Sequence, residues 1–338
     1  MKKLYKMMLQ IFAGNTNVTT QTGSGKDLSA EMKTFYDKVL IKFARPNLVH
    51  DQFAQTKNIP KNGGKTIEFR KYSPLPKALT ALTEGVTPDG QHLNVSTITA
   101  TVAQYGGFIE LSDVLMLTAI DNNLVEAQEI LGDQAGRTLD TITREVLNGG
   151  TNVIFAGGKS ARASLTTSDK MSVTLIKQAV RKLKVNLAKK IDGYYVAIIH
   201  PDVTYDIMCD DEWISASKYA GSTQLFEGEI GKIHGVRFVE TTEAKVWAKA
   251  AVPGTGQDTT NTKSVYSTLV LGANAYGTTS IEGGGLQSIV KQLGSAGTAD
   301  PLNQRAPAGW KAVKTAVRLV ESYMVRIESV STYDSEAN

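Results

Sequence analysis

The sequence predicts an α+β fold, because helical and strand-like segments are interleaved along the chain without the regular βαβ order of a doubly wound sheet. Residues 123–148 repeat apolar side chains at helical spacing, whereas residues 65–72 and 93–102 alternate as strands do. The composition, with 41% hydrophobic and 21% charged residues, is that of a globular protein and excludes a disordered or fibrous chain.

The N-terminal segment is predicted to be a flexible basic arm over residues 1–27. Its first 26 residues contain four lysines and no acidic residue, which accounts for the whole net charge of +4. The arm could bind nucleic acid or an acidic protein surface, or serve only as a solubilising tail. Its apolar run is short and interrupted, so we expect no export signal. Residues 28–56 form the next region, with a helix predicted over residues 28–44.

Residues 57–110 are predicted to form a long β-hairpin. Its two alternating segments flank a stretch stiffened by Pro74, Pro76 and Pro88. The segment has few large hydrophobic residues, and a two-stranded hairpin is only marginally stable alone in water. We therefore expect another surface to cover it.

The remaining chain begins with a short helix at residues 111–117 and a long helix at residues 123–148. The long helix starts at a capping box, Asn123 to Glu126, and stops at Gly149. Asp140 and Arg144 lie largely off its predicted apolar stripe. The other predicted elements are a helix at 172–190, a buried strand at 194–199, a short helix at 201–210, strands at 235–240, 265–271, 287–293 and 317–327, and a mobile loop at 241–263.

The helix at 172–190 contains the strongest charge feature of the sequence. Its basic residues, with no acidic residue between them, are Lys177, Arg181, Lys182, Lys184, Lys189 and Lys190. Such a helix could contact DNA phosphates without sequence preference. A solvated face, or pairing with acidic residues across a subunit contact, is the favoured interpretation because the basic run contains no aromatic residue for stacking on bases.

Motifs for catalysis and cofactor binding are weak. The Gly-Lys pairs at residues 25, 64 and 158 have Thr20, Ile59 and Val153 where a phosphate-binding loop needs its first glycine. His200 with Asp202 could be half of an acid–base site, although a local structural role is favoured. Cys209 is the one cysteine, so no internal disulfide can form and a reducing compartment is expected. We predict no metal site, no cofactor, no membrane segment and no enzymatic activity.

Four strings resemble a known family. They are residues 48–54 (LVHDQFA), 59–72 (IPKNGGKTIEFRKY), 82–90 (LTEGVTPDG) and 136–144 (GRTLDTITR). They are similar to major capsid proteins of tailed phages, in particular the branch typified by coliphage N-four. The likeness in element order covers residues 28–332, most of the chain, while the first two dozen residues match less well.

The resemblance implies the Hong Kong 97-type capsid fold. In that fold the hairpin at 57–110 is the extended loop that reaches over a neighbouring subunit, and the helix at 123–148 is the spine of the peripheral domain. Residues 111–190 are then assigned to the peripheral domain, residues 191–285 to the axial domain, and residues 286–338 to the return into the peripheral domain.

The resemblance further implies self-assembly through hexamers and pentamers into an icosahedral shell that packages phage double-stranded DNA. The expected partners are copies of itself, portal protein and scaffolding or decoration proteins, in the virion and in the host cytoplasm during assembly. The expected inter-subunit residues on the hairpin are Lys65, Arg70, Lys71, Lys77, Glu84 and Asp89. The alternatives are an encapsulin-like nanocompartment shell and a small α+β hydrolase that uses His200.

Overall fold

The computed structural model describes residues 16–17, 49–72, 75–87, 89–118, 123–219, 231–250, 263–291, 293, 300–335 and 337–338. The predicted helix at 28–44 and all of the predicted arm except residues 16–17 lie outside these residues. The chain divides into two compact units. The first unit comprises Met1–Arg45, Gln104–Gly136 and Gly285–Ala312, and the second comprises Pro46–Ala103, Arg137–Gly284 and Val313–Asn338.

The described residues contain strands and helices in mixed order, which confirms the predicted α+β class. The strands are β1 (Thr16–Asn17), β2 (Gln55–Ile59), β3 (Thr66–Tyr72), β4 (Val95–Thr101), β5 (Ala103–Ser112), β6 (Val153–Phe155), β7 (Tyr195–Ile199), β8 (Lys232–Ile233), β9 (Val236–Glu240), β10 (Val246–Trp247), β11 (Val265–Leu271), β12 (Tyr276–Ile281), β13 (Gln287–Val290), β14 (Arg305–Arg318) and β15 (Met324–Val330). The helices are α1 (Asp113–Thr118), α2 (Asn123–Asn148), α3 (Val173–Val185), α4 (Pro201–Met208) and α5 (Asp211–Tyr219), with short 3₁₀ turns at Ala156–Gly158, Arg162–Ser164 and Glu321–Tyr323.

In the first unit, β5 and β13 pair with the N-terminal part of β14, and β1 adds to β5 in parallel register. Alternate residues of β14 are buried, as expected for a strand with one covered face. The strands approach closely at Gly106, where an added Cβ atom would lie 2.6 Å from the carbonyl oxygen of Trp310. The indole N–H of Trp310 donates to Gln134 on α2 at 3.0 Å.

The second unit is built on a sheet in the order β6–β15–β11–β7–β9–β8, with β10 also pairing with β11. Every residue of β7, β11 and β15 is buried. One face packs on the apolar side of α3, including Ile176 and Leu183. The other face packs on a smaller cluster that includes Leu147 of α2. Both faces of the central strands are therefore covered, which explains the continuous apolar run at residues 194–199.

The C-terminal half of α2 differs from the predicted pattern, because it buries polar side chains as well as the apolar Leu147. Asp140 and Arg144 are each only 2% exposed, although the sequence placed them off the apolar stripe. Asp140 accepts hydrogen bonds from the backbone N–H of His50 at 3.0 Å and pairs with His50 Nδ1 at 2.6 Å. The periodic pattern of the helix contains no information about these distant partners.

Several further boundaries differ from the sequence predictions. The mobile loop predicted at 241–263 is wrong in its first part, because Val246–Trp247 forms β10 and pairs with β11. The strand predicted at 287–293 ends at Val290. The hairpin ladder ends at Thr101, and Ala103–Ser112 is a separate strand in the first unit, since the alternating pattern continues while the pairing partner changes. The helix predicted over residues 172–190 ends at Val185. The single strand predicted at 317–327 is wrong, because the 3₁₀ turn Glu321–Tyr323 separates β14 from β15.

Candidate assembly surfaces

The β3–β4 hairpin is part of the second unit and is packed against the rest of it through its ladder. The two strands pair in antiparallel register from Thr66 opposite Thr101 to Tyr72 opposite Val95. Phe69 is 4% exposed and lies against Gly277 of β12, where an added Cβ atom would be 3.2 Å from its ring. The ammonium of Lys57 on β2 lies 5.6 Å from the centroid of the same ring. This contact fixes the hairpin through its ladder.

The far end of the hairpin, which we call the loop tip (residues 78–91), has almost no cover from the rest of the described chain at its described residues, 78–87 and 89–91. Its apolar side chains are strongly exposed, namely Leu79 (86%), Leu82 (76%) and Val86 (63%). Tyr72, Leu75, Leu93 and Val95 on either side of the tip are also exposed. Because single exposed apolar residues are ordinary but contiguous ones mark interaction sites, this concentration indicates a contact surface.

The charged hairpin residues expected at a subunit contact are all exposed. Lys65, Arg70 and Lys71 lie on or next to β3, while Lys77, Glu84 and Asp89 lie in or next to the loop tip. Within the part of the chain that the structure describes, none of the six forms an ion pair. Their charges are therefore available to a second molecule.

The basic residues at 177–190 separate into two groups. Lys177 pairs with Glu212, and the ammonium of Lys182 donates to the carbonyl oxygen of Val153 at 3.2 Å. Both side chains are thereby used within the chain. The other four residues are exposed and form no ion pair with the described residues, and they are Arg181, Lys184, Lys189 and Lys190. The second group is the better candidate for an external contact.

His200 caps a helix. Its Nδ1 accepts a hydrogen bond from the backbone N–H of Asp202 at 3.2 Å, and Pro201 occupies the first position of α4. Burial lowers the pKa of His200, opposed by the charge of Asp202. Asp202 Oδ2 accepts hydrogen bonds from Tyr266 and Ser335, each at 2.6 Å. Burial, followed by the hydrogen bond to Asp202, raises the pKa of Tyr266 to about 12. These groups join α4 and β11 to the segment after β15.

A polar network that runs from the exposed Asp51 to the buried Tyr276 was missed by the sequence analysis of the second unit. Asp51 accepts from the hydroxyl of Thr143 at 2.6 Å and pairs with Lys314, whose ammonium also donates to the carbonyl oxygen of Leu139 at 2.8 Å. Burial and the charge of Asp51 raise the pKa of Tyr276 above its usual range. The network joins α2, β12 and β14 to the turn at residues 49–54. The sequence contained one indication of this network. Asp51, Leu139 and Thr143 lie in two of the segments that resemble phage capsid proteins, residues 48–54 and 136–144.

A charge cluster around a buried carboxylate lies where β15 pairs with β6 in the large sheet. Glu328 is fully buried and receives two hydrogen bonds from Arg162, at 2.7 and 2.8 Å. Arg326 lies 2.8 Å from the same carboxylate. The guanidinium carbon of Arg162 lies 3.5 Å from the ring centroid of Trp247. Arg162 and Arg326 both pair with Glu328 inside the chain. The cluster therefore stabilises the fold and is not a candidate binding site.

The described residues contain neither a metal-binding cluster nor a helix suited to cross a membrane. No group of three or more histidine, cysteine, aspartate and glutamate side chains is placed to hold a metal ion. Among the described helices, none is both long and apolar enough to cross a membrane. Cys209 is a free, exposed thiol.

Solved structures with a similar fold are phage capsids. The chain is similar to the capsid of Ralstonia phage GP4, with a TM-score of 0.67 and 14% identity over 95% of this chain and 100% of that chain. It is similar to the capsid of cyanophage Pam1, with a TM-score of 0.67 and 13% identity over 90% of this chain and 98% of that chain. It is also similar to the capsid of cyanophage P-SCSP1u, with a TM-score of 0.64 and 15% identity over 94% of this chain and 98% of that chain. The fold is therefore that of the Hong Kong 97-like phage capsid proteins.

The sequence comparison identifies the family. A family model described as phage capsid protein matches residues 110–293, more than half of the 338 residues. The chain belongs to this phage capsid protein family. It is a structural protein of the virion capsid that associates with copies of itself. A comparison of the sequence with curated proteins found no significant match. Membership of the branch typified by coliphage N-four stays a prediction.

Proposed function

We propose that this chain is the major capsid protein of a tailed phage, and that its copies associate as hexamers and pentamers into an icosahedral shell around double-stranded DNA. The observation that best supports this is the β3–β4 hairpin. It exposes apolar and charged side chains that have no partner among the described residues of its own chain. A contact between this hairpin and a different surface of the next copy is heterologous, and such contacts form rings when the rotation closes.

Apolar contacts should dominate the free energy of this association. The six charged hairpin residues, Lys65, Arg70, Lys71, Lys77, Glu84 and Asp89, then set the register between copies. Each exposed ion pair contributes only ~0–1 kcal/mol, whereas burying one large apolar side chain contributes ~1.5–3 kcal/mol. Repetition over many copies makes modest individual contacts sufficient.

The proposal extends to the domains and to other partners. We assign residues 111–190 and 286–338 to the peripheral domain and residues 191–285 to the axial domain. The basic residues near α3 that form no ion pair with the described residues contact either DNA phosphates or an acidic surface of a neighbour. Portal protein and scaffolding or decoration proteins are the other partners, and assembly takes place in the host cytoplasm.

Deletion of residues 74–90 tests the proposal. The truncated subunit should stay folded, because the ladder of the hairpin keeps Phe69 buried, but it should no longer close shells. Size-exclusion chromatography and negative-stain microscopy measure this. Normal shells from the truncated chain would contradict the role given to the hairpin.

The contents of the particles separate this proposal from its two alternatives. Nuclease-protected DNA supports a phage capsid, whereas particles that hold cargo protein in place of DNA would identify a nanocompartment. A small monomer with a hydrolytic activity lost in His200→Ala would identify an enzyme and overturn the proposal.

A further inference from the structure

The segment that ends α3 exposes two large apolar side chains. Val185 is 68% exposed and Leu187 is 82% exposed. Leu187 also has φ +55°, in the left-handed region that a side chain with a Cβ adopts at a cost. Glycine is the usual residue at this position after a helix. Within a single copy, Leu187 is thus unfavourable both in its backbone conformation and in its exposure.

The turn that presents Leu187 is held rigidly. The backbone N–H of Leu187 donates to Lys184, and that of Ala188 donates to Leu183, both at 3.0 Å. The Asn186 amide donates to the carbonyl oxygen of Ser322 at 3.2 Å, and the Tyr195 hydroxyl donates to that of Ala188 at 3.0 Å. Because these bonds fix the backbone of the turn before binding, the turn loses little conformational entropy on association. Leu187 is thus presented at a fixed position, and we take it as the apolar anchor of this surface.

The surroundings of Leu187 are basic. We call Lys184, Val185, Leu187, Lys189 and Lys190 the α3-end patch. Its three lysines are exposed and form no ion pair with the described residues, while Asp192 is the nearest acidic residue that follows in sequence. The patch thus has a net positive charge around an apolar centre. Its partner should be apolar and acidic.

The loop tip of the same chain has this complementary chemistry. Residues 78–91 contain Glu84 and Asp89 and no lysine or arginine, so their formal charge is −2. Leu79, Leu82 and Val86 supply the apolar surface. Leu117 is also 82% exposed, but it shares α1 with the acidic Asp113 rather than with a basic residue.

We propose that the loop tip of one copy docks on the α3-end patch of a second copy. Leu187 packs against the leucines of the tip, and the patch lysines face Glu84 and Asp89. The inference depends on the proposed function, because it names the surface that the hairpin contacts on the neighbouring subunit.

Leu187→Gly is the first test, because a structural role and a contact role predict opposite results. Glycine relieves the backbone at φ +55°, so the thermal midpoint of the unassembled subunit should stay the same or rise. Loss of the anchor should raise the protein concentration needed for shells by about tenfold or more. Leu117→Ala, at an equally exposed leucine, is the control and should change this concentration by less than about twofold. Assembly of Leu187→Gly at the wild-type concentration would overturn the inference.

Charge reversal is the second test. Glu84→Lys with Asp89→Lys should impair assembly, and so should Lys184→Glu with Lys189→Glu. The chain that combines all four changes should recover at least about tenfold of the lost assembly, because attraction is restored with the signs exchanged. A combined chain as defective as its parents would contradict the pairing.

Cross-linking locates the contact directly. In a Cys209→Ser background, a chain with Leu82→Cys and a separate chain with Leu187→Cys are mixed, assembled and oxidised. A covalent dimer on a non-reducing gel is expected, and the mixture of Leu82→Cys with Leu117→Cys should give none. If particles form but the covalent dimer appears with Leu117→Cys and not with Leu187→Cys, only this inference is overturned. A wild-type chain that forms no particles at all overturns the proposed function as well.

Discussion

Two seven-residue ladders of this protein have the same backbone pairing and opposite surroundings. β11 and β15 pair antiparallel through seven residue pairs, as do β3 and β4. In the first ladder all side chains are buried, whereas in the second only Phe69 and Ala100 are buried. Backbone hydrogen bonds therefore do not distinguish a core element from an assembly element. The difference lies in where the side chains obtain their cover, from the same chain or from another copy.

Glutamates in the two ladders should respond most differently to the same substitution. Glu328→Gln removes a fully buried charge and leaves Arg326 and Arg162 without their carboxylate, so the free energy of unfolding should fall by about 3–5 kcal/mol. Glu68→Gln, on the exposed face of β3, should change it by less than about 0.5 kcal/mol. Denaturant unfolding of the unassembled subunit measures both. Equal effects would contradict the contrast.

Leucines give a smaller contrast of the same kind. Leu269→Ala in β11 should lower the free energy of unfolding by about 2–5 kcal/mol, because it leaves a cavity against the α2 side of the sheet. Leu82→Ala in the loop tip should leave the free energy of unfolding nearly unchanged and should reduce shell formation. A tip variant that destabilises the lone subunit as much as Leu269→Ala would show that the tip is covered within its own chain.

The smallest expected effect is the pH dependence that His200 contributes to the interior of the second unit. Burial lowers its pKa in the folded state below the ordinary value of 6.5, so the unfolded state binds the proton more strongly. The contribution to stability is complete above pH 6.5 and is lost as the pH falls through the lower folded pKa. His200→Asn keeps a helix-capping side chain and removes the titration.

Unfolding free energies measured from pH 7 downward should therefore fall less steeply for the His200→Asn variant. Identical slopes for His200→Asn and the wild type would show that another group determines this dependence.

Local patterns predicted the long helix α2, the two hairpin strands and the buried strand β7 within a few residues. Apolar side chains recur at regular spacing in these elements, and this spacing can be read from residues close together in the sequence. The end of α3 was predicted too far along the chain, because Leu187 adopts a conformation that glycine usually adopts. The hairpin residues expected at a subunit contact are exposed, and their pairing across copies stays a prediction.

The sequence by itself determined the α+β class, the low number of large hydrophobic residues in the hairpin and the likeness to phage capsid proteins. Only the tertiary structure decided that Asp140, Arg144 and Glu328 are buried, and that Leu187 and the loop tip are left uncovered. The physical reason is that burial depends on contacts between residues far apart in sequence. His50 and Asp140 are 90 residues apart, and Arg162 and Glu328 are 166 apart. No local period contains information about such pairs.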